Sequence, residues 1–77
     1  GLVLLAGPGG AGWVEAASWI AGLECVQLAD GAAASAVGLA VDGVLLLRPD
    51  GVIAWQCNGE VAHPMVALTK AIRRILG

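Results

Sequence analysis

Apolar and polar positions alternate in blocks along the chain, and four short apolar blocks are typical of β-strands. The predicted strands cover residues 2–6, 24–29, 44–48 and 52–57. The first contains only apolar residues and ends at a Gly-Pro pair, a pattern that indicates a strand buried on both faces. The blocks between these strands differ in period and predict helices and turns.

Two segments have the period of an amphipathic helix. Residues 13–23 form the first, and one side of it carries Trp13, Ala16, Ala17, Ile20 and Leu23. The second begins at Pro64, a residue suited to the first helical position. Its apolar side consists of Met65, Leu68, Ile72, Ile75 and Leu76. Residues 30–38 are small and carry no helical pattern, so they are predicted to form a loop.

Turn residues separate the last two predicted strands. Pro49 suits the first central position of a type I turn, and Gly51 supplies the positive φ that closes a hairpin of three or four residues. The Asp42–Gly43 pair and residues 58–60 predict two further turns.

The predicted order is βαβ followed by ββα. A strand, a helix and a second strand within about 30 residues form a parallel pair with a right-handed crossover. With the hairpin added, the sequence predicts an α/β fold with a four-stranded mixed sheet and helices packed on it, the minimal thioredoxin-like arrangement. Residues 1–77 are therefore predicted to form one domain, too short for the repeated units of a doubly wound dinucleotide-binding fold.

The composition indicates that part of the apolar surface is normally covered. The chain is 58% hydrophobic and 13% charged, whereas an average domain has about 25% charged residues. A chain of this size buries only about 60% of its unfolded surface. We therefore expect another domain, or a second subunit of a homo-oligomer, to cover apolar residues. The chain is interpreted as a piece of a longer polypeptide.

Charge and hydropathy exclude two classes of partner. The net charge of −2 argues against nucleic acid, and no apolar run reaches the roughly 20 residues of a membrane span. Cys25 and Cys57 are not enough for a disulfide scaffold, and inside strands they are predicted to be small buried hydrophobes. This cysteine usage predicts a cytoplasmic protein.

The segment Gly7–Gly12 matches the dinucleotide-binding pattern G-x-G-x-x-G, and Asp30 follows at the distance of the ribose-binding acid. The favoured interpretation is a strand-to-helix turn that binds nothing, because Trp13 would crowd a pyrophosphate and the strands of an adenosine pocket are missing. The alternative is a small binding module whose helix N-terminus holds an anion or nucleotide. Its candidate site consists of Gly9, Gly10 and Gly12.

Catalytic and metal-binding residues are not predicted. Thiol redox chemistry needs a cysteine at the start of the first helix, where this chain has none, and the two cysteines should lie on the two outer strands. His63 is the single histidine and has no cluster of metal ligands with it. The three tryptophans, Trp13, Trp19 and Trp55, are predicted to fill the core.

Two segments resemble a known family. The first is residues 4–10 with Trp13 shortly after, and the second is Leu-Leu-Leu-Arg-Pro-Asp-Gly-Val-Ile-Ala-Trp at 45–55. Together they resemble the C-terminal domain of FAD-dependent aromatic-ring hydroxylases, the phenol hydroxylase and aromatic polyketide hydroxylase relatives. The family has an arginine after the tryptophan, where this chain has Gln56.

The resemblance implies a thioredoxin-like domain without redox cysteines. It also implies a parent enzyme that uses NAD(P)H to reduce FAD and inserts one oxygen atom from O₂ into an aromatic substrate. In that family the FAD and substrate sites lie in upstream domains, so no catalytic or cofactor-binding residue is carried over. The expected role is structural, docking against those domains.

Overall fold

In a computed structural model that describes residues 1–59 and 61–76, seven elements follow the order βαβαββα. The predicted β-α-β and β-β-α units are both present, and the additional element is a short helix between them. The elements are β1 (Val3–Ala6), α1 (Ala11–Ser18), β2 (Glu24–Gln27), α2 (Gly31–Ala36), β3 (Val44–Leu47), β4 (Ile53–Cys57) and α3 (Pro64–Leu76).

The four strands form one mixed sheet in the order β2-β1-β3-β4. Strands β1 and β2 are parallel, with Leu4 beside Cys25, whereas β3 is antiparallel to both β1 and β4. The predicted four-stranded mixed sheet is thus confirmed. Since β1 and β3 are the inner strands, their side chains meet neighbours on both sides and supply most of the buried strand residues.

The main core lies between one face of the sheet and helices α1 and α3. Alternate residues of β1 and β3 point to this face, as the two-residue period of a strand requires. The largest side chains that are almost completely buried here are Trp13, Leu4, Leu46, Leu68 and Val44. The Trp13 ring meets Trp55 edge to face, with ring centroids 5.7 Å apart and planes at 70°, a favoured aromatic geometry.

Helix α2 covers part of the opposite face, where the sequence predicted a loop over residues 30–38. That prediction is wrong because Asp30 caps the helix, its Oδ1 accepting the Ala33 N–H at 2.8 Å. The capped segment is rich in alanine, the strongest helix former. A second, smaller cluster forms beneath α2 from Ala34, Leu39 and Leu45, with Leu5 and Leu28 packed against it.

Helix α1 is shorter than predicted. It starts two residues before Trp13 and ends at Ser18, not Leu23. Its end tightens because Trp19 N–H and Ile20 N–H donate to carbonyls three residues back instead of four. Ile20 and Leu23 still pack against the main core, so the predicted apolar side is confirmed although the helix is not continuous.

The hairpin between β3 and β4 has the predicted turn. Arg48 N–H donates to Val52 C=O at 2.9 Å, leaving a three-residue connection in which Gly51 has a φ of +85°. The register shifts between Leu46 and Leu47, which indicates a β-bulge in β4. Pro64 opens α3 as predicted. The turn predicted at 58–60 ends at a residue outside the described residues.

Within residues 1–59 and 61–76, no helix is long and apolar enough to cross a membrane.

Truncation of the main core should be far more costly than truncation at the surface. Leu46 is completely buried and Leu76 is 73% exposed. In residues 1–77, we expect Leu46→Ala to lower the free energy of unfolding by about 2–5 kcal/mol because it leaves a cavity. Leu76→Ala should change it by less than about 0.5 kcal/mol. Urea denaturation followed by tryptophan fluorescence measures both, and equal losses would contradict this core assignment.

Candidate functional site

The glycine-rich turn connects β1 to α1 and lies against the segment that enters β3. Gly7 N–H donates to Gly43 C=O at 3.0 Å, and Gly9 N–H donates to Val41 C=O at 2.9 Å. Within the turn, Gly10 N–H donates to Gly7 C=O at 2.9 Å. On its other side, the Gln27 side chain donates to Pro8 C=O at 3.1 Å. The turn is therefore held by the chain on both sides.

The close approach of these two segments accounts for glycine at position 7. A Cβ at Gly7 would overlap the backbone carbonyl oxygens of Ala40 and Val41. Its distance to the Ala40 oxygen would be only 2.6 Å. Backbone atoms cannot move aside as a flexible side chain can. Gly12 differs, because a Cβ there would lie 3.6 Å from Pro64 Cγ, an ordinary van der Waals contact.

The arrangement at the turn is unfavourable for an anion. The N–H groups of Gly9 and Gly10 already donate to carbonyls of this chain, so an anion would have to displace those hydrogen bonds. The Asp42 carboxylate lies directly against Gly9, and its negative charge would repel a phosphate. The anion site at Gly9, Gly10 and Gly12 stays a prediction, and the structure brings its three glycines to one small depression.

That depression is small for a nucleotide. Its volume is about 190 Å³, whereas ligand pockets usually measure about 300–1,000 Å³. Trp13 lines it, but the ring is only 1% exposed and belongs to the core. The indole N–H of Trp13 donates to Gly59 C=O at 3.4 Å. The ring fills space behind the turn, which leaves no room for a ligand to extend inward.

The candidate acid of the dinucleotide motif has a structural partner. Asp30 accepts the Ala33 N–H and caps α2. Asp50 likewise accepts the Val52 N–H at 3.1 Å within the hairpin turn and pairs with Arg48 at 2.9 Å. His63 is exposed, and its backbone carbonyl accepts the Ala67 N–H at the start of α3. These polar residues serve the local backbone.

The described residues contain no metal-binding cluster. No three Asp, Glu, His or Cys side chains among them lie close enough together to hold a metal ion. Side-chain oxygen and nitrogen atoms that are fully buried there all have hydrogen-bond partners.

The cysteines lie on the two outer strands, as predicted. Cys25 is on β2 and Cys57 is on β4, at opposite edges of the sheet. The prediction that both are buried is wrong, since Cys25 is exposed and Cys57 half-buried. An edge strand leaves one side of its residues uncovered. Partial burial still raises the pKa of the Cys25 thiol, the opposite of the lowered pKa that a redox thiol requires.

The structure has an exposed groove that the sequence pattern does not predict. It lies between α1 and α3, has a volume of about 650 Å³, and is lined by Gly12, Glu15, Ala16, Trp19, Pro64 and Met65. Trp19 was predicted in the core, but 75% of it is exposed. The spacing indicates the exposure of Trp19, because Trp19 follows Glu15 by four residues and therefore lies on the same polar side of the helix.

Comparison with known proteins gives one family. The family model described as "Aromatic-ring hydroxylase, C-terminal" matches residues 1–77. A 4-methyl-5-nitrocatechol 5-monooxygenase from Burkholderia sp is 39% identical over 96% of this chain. A tetracenomycin A2 monooxygenase-dioxygenase from Streptomyces glaucescens is 34% identical over the same share. The chain spans only 16% of the length of each of these relatives.

A solved structure has the same fold over nearly the whole chain. It is a ternary complex of aklavinone-11 hydroxylase with FAD and aklavinone, and it superposes on 99% of this chain with a TM-score of 0.86 and 30% sequence identity. The present chain corresponds to 16% of that hydroxylase. The predicted fold, a mixed four-stranded sheet with packed helices, is therefore also the fold of the matching part of this hydroxylase.

If the glycine turn serves packing, its glycines should respond differently to alanine. Gly7→Ala should lower the free energy of unfolding by about 1–3 kcal/mol, because its Cβ overlaps backbone carbonyls. Gly12→Ala should raise it by about 0.5–1 kcal/mol, since alanine is the better helical residue. Urea denaturation of both variants tests this. A loss at Gly12 as large as that at Gly7 would contradict the packing role.

The raised pKa of Cys25 predicts slow alkylation at neutral pH. Because the folded pKa lies above the ordinary value, the thiolate should form only at higher pH than in an unfolded cysteine peptide. We expect the iodoacetamide rate of a Cys57→Ser variant, in which Cys25 reacts alone, to rise with a midpoint above that of the same chain in urea. A midpoint below it would indicate an activated thiol instead.

Proposed function

The chain belongs to the aromatic-ring hydroxylase C-terminal family, and we propose that it is a non-catalytic docking domain of a longer FAD-dependent monooxygenase. In this proposal the parent enzyme uses NAD(P)H to reduce FAD and inserts one oxygen atom from O₂ into an aromatic substrate. The domain itself packs against upstream FAD-binding and substrate domains of the same polypeptide.

The observation that carries the proposal is the coverage of the matches. Nearly all of this chain, 99%, superposes on a hydroxylase solved with FAD and aklavinone, yet it accounts for only 16% of that chain. The curated relatives have the same proportion. A chain that shares its whole fold with a small part of a much longer protein is typical of one domain among several.

The glycine turn does not fit the pyrophosphate of FAD. The Gly9 and Gly10 amides donate to carbonyls of the chain, and Asp42 places a negative charge beside Gly9. The depression at the turn, about 190 Å³, is below the usual size of a pocket even for small ligands. In the proposed parent, FAD and the aromatic substrate are therefore held by other domains.

Two properties of the surface support docking. Large apolar side chains such as Trp19 and Leu76 are about three-quarters exposed, and burying them against a partner removes apolar area from water. The polar residues, by contrast, bond to their own local backbone, as Asp30 and Asp50 do.

The proposal places the enzyme in the cytoplasm, where free thiols such as Cys25 remain reduced.

The proposal predicts a flavoprotein much longer than 77 residues. We expect the protein isolated from its source to have the mass of a multidomain chain and to show flavin absorption bands. Residues 1–77 alone should bind no flavin and should not oxidise NADPH in the presence of an aromatic substrate. The intact flavoprotein, assayed in parallel, is the positive control for the aromatic substrate chosen.

Either of two results would overturn this proposal. Turnover or flavin binding by residues 1–77 alone would make the domain catalytic. A native protein with only the mass of the 77-residue chain and no flavin would instead favour the small binding module, and phosphate titration of Gly9 and Gly10 amide signals would then test the anion site.

A further inference from the structure

We propose that a depression beside Trp55 binds a small aromatic anion of the carboxylate class. This depression, termed here the Trp55 depression, lies between β4 and α3 and has a volume of about 380 Å³. The residues that line it are Trp55, Ala67, Lys70, Ala71, Arg73 and Arg74. The inference goes beyond the proposed docking role and does not rest on it, because every group that it uses belongs to this chain.

Small side chains of α3 keep the Trp55 depression open. Ala67 and Ala71 are four residues apart, so they lie on the same face of the helix, about one turn from each other. Ala71 belongs to the main core, and Ala67 and Trp55 pack against that core. Because alanine methyl groups are short, they do not cover Trp55, which remains half-buried. A flat apolar ligand therefore has aromatic surface to contact.

Positive charge is concentrated at the same place. Lys70, Arg73 and Arg74 line the depression and are exposed, and they are three of the four Lys and Arg residues in the sequence. Within residues 1–59 and 61–76, none of the three forms an ion pair with an Asp or Glu side chain. An anion in the depression is therefore attracted by three cations without displacing an acidic side chain of the described residues.

The helix dipole does not account for this grouping of charges. Cations near the C-terminus of a helix are stabilised by its dipole, and Arg73 and Arg74 lie in the last turn of α3, but Lys70 lies before it. The dipole also favours no particular side of a helix. The spacings of three and four residues place Lys70 beside Arg73 and Arg74, where like charges repel one another. A bound anion would offset that repulsion.

The size of the depression and its donors select the class of ligand. A volume of about 380 Å³ lies within the usual range of about 300–1,000 Å³ for ligand pockets, which combine apolar walls with a few polar groups. An arginine guanidinium presents N–H donors in a planar arrangement that matches the two oxygens of a carboxylate. A ring attached to that carboxylate would lie against Trp55 and the methyl groups of Ala67 and Ala71.

Two other concave surfaces are less suited to an anion. The Trp19 groove is larger, but the charged residue in its lining is Glu15, which would repel an anion. The depression at the glycine turn has the Asp42 carboxylate against Gly9, and the Gly9 amide donates to a carbonyl. In the Trp55 depression, by contrast, aromatic surface and positive charge lie together.

Photolabelling of the protein isolated from its source, at its natural length, tests the site. The probe is 4-azidobenzoate, and the matched control is the neutral 4-azidobenzamide. After mapping by mass spectrometry, we expect the carboxylate probe to label Trp55 or residues 67–74 several-fold more than the amide does. Excess benzoate and high salt should both suppress this labelling.

Either of two results would overturn the inference. Equal labelling of these residues by the two probes would mean that the contact is apolar and the cations have no part in it. Labelling that is absent from Trp55 and residues 67–74 would mean that the depression holds no aromatic anion. Because the labelled residues are identified individually, either result leaves the proposed docking function as it stands.

A matched pair of substitutions in the same protein gives a second test. Arg74→Gln and Arg48→Gln each remove one exposed positive charge, the first at the Trp55 depression and the second in the β3–β4 turn. We expect Arg74→Gln to lower labelling by 4-azidobenzoate several-fold and Arg48→Gln to leave it unchanged. Equal labelling of the two variants would refute the site. Neither arginine belongs to a core cluster, and urea denaturation of both variants checks that they remain folded.

Discussion

The fold depends on the contact between the turn after β1 and the backbone that leads into β3. Gly7 and Gly9 donate to carbonyls of Gly43 and Val41, and the absence of a side chain at Gly7 allows the two backbones to approach this closely. The contact fixes β3 beside β1 at the centre of the sheet. It also sets the start of α1, and with it the position at which Trp13 enters the core.

The same contact gives the nucleotide-like motif hydrogen-bond partners within the chain. A phosphate-binding loop needs free amides at a helix N-terminus, whereas the Gly9 and Gly10 amides bond to carbonyls of this chain. Glycine is favoured in both kinds of turn because the backbone must approach another group closely. In a phosphate-binding loop that group is the phosphate, and in this chain it is the neighbouring backbone segment. The pattern G-x-G-x-x-G reports the close approach, and only the structure shows what is approached.

The order of the strands along the chain and the Pro-Asp-Gly hairpin could be predicted because local patterns decide them, such as the positive φ at Gly51. Helix α2 was missed because its small residues show no apolar period and Ala34 packs against residues distant in the chain, although the Asp30 cap and the alanines are local signals for a helix. The exposure of Trp19 and Cys25 depends on where α1 ends and on which strand lies at the edge. The hydrogen bonds of the glycine turn could not be predicted either, because the Gly7 and Gly9 amides donate to Gly43 and Val41, which are distant in the chain.

The small size of the domain and its exposed apolar residues have one physical origin. Three layers, a sheet with helices on both faces, would bury both sides of every strand, but α2 is too short to complete the third layer. Leu45 is consequently buried, whereas Ile53 remains half exposed on the outer strand. Side chains that the domain cannot bury itself lower its stability when it stands alone and contribute binding energy when a partner covers them. An incomplete third layer is therefore compatible with a domain whose stability is completed by the rest of a larger protein, which is the condition that the docking proposal requires.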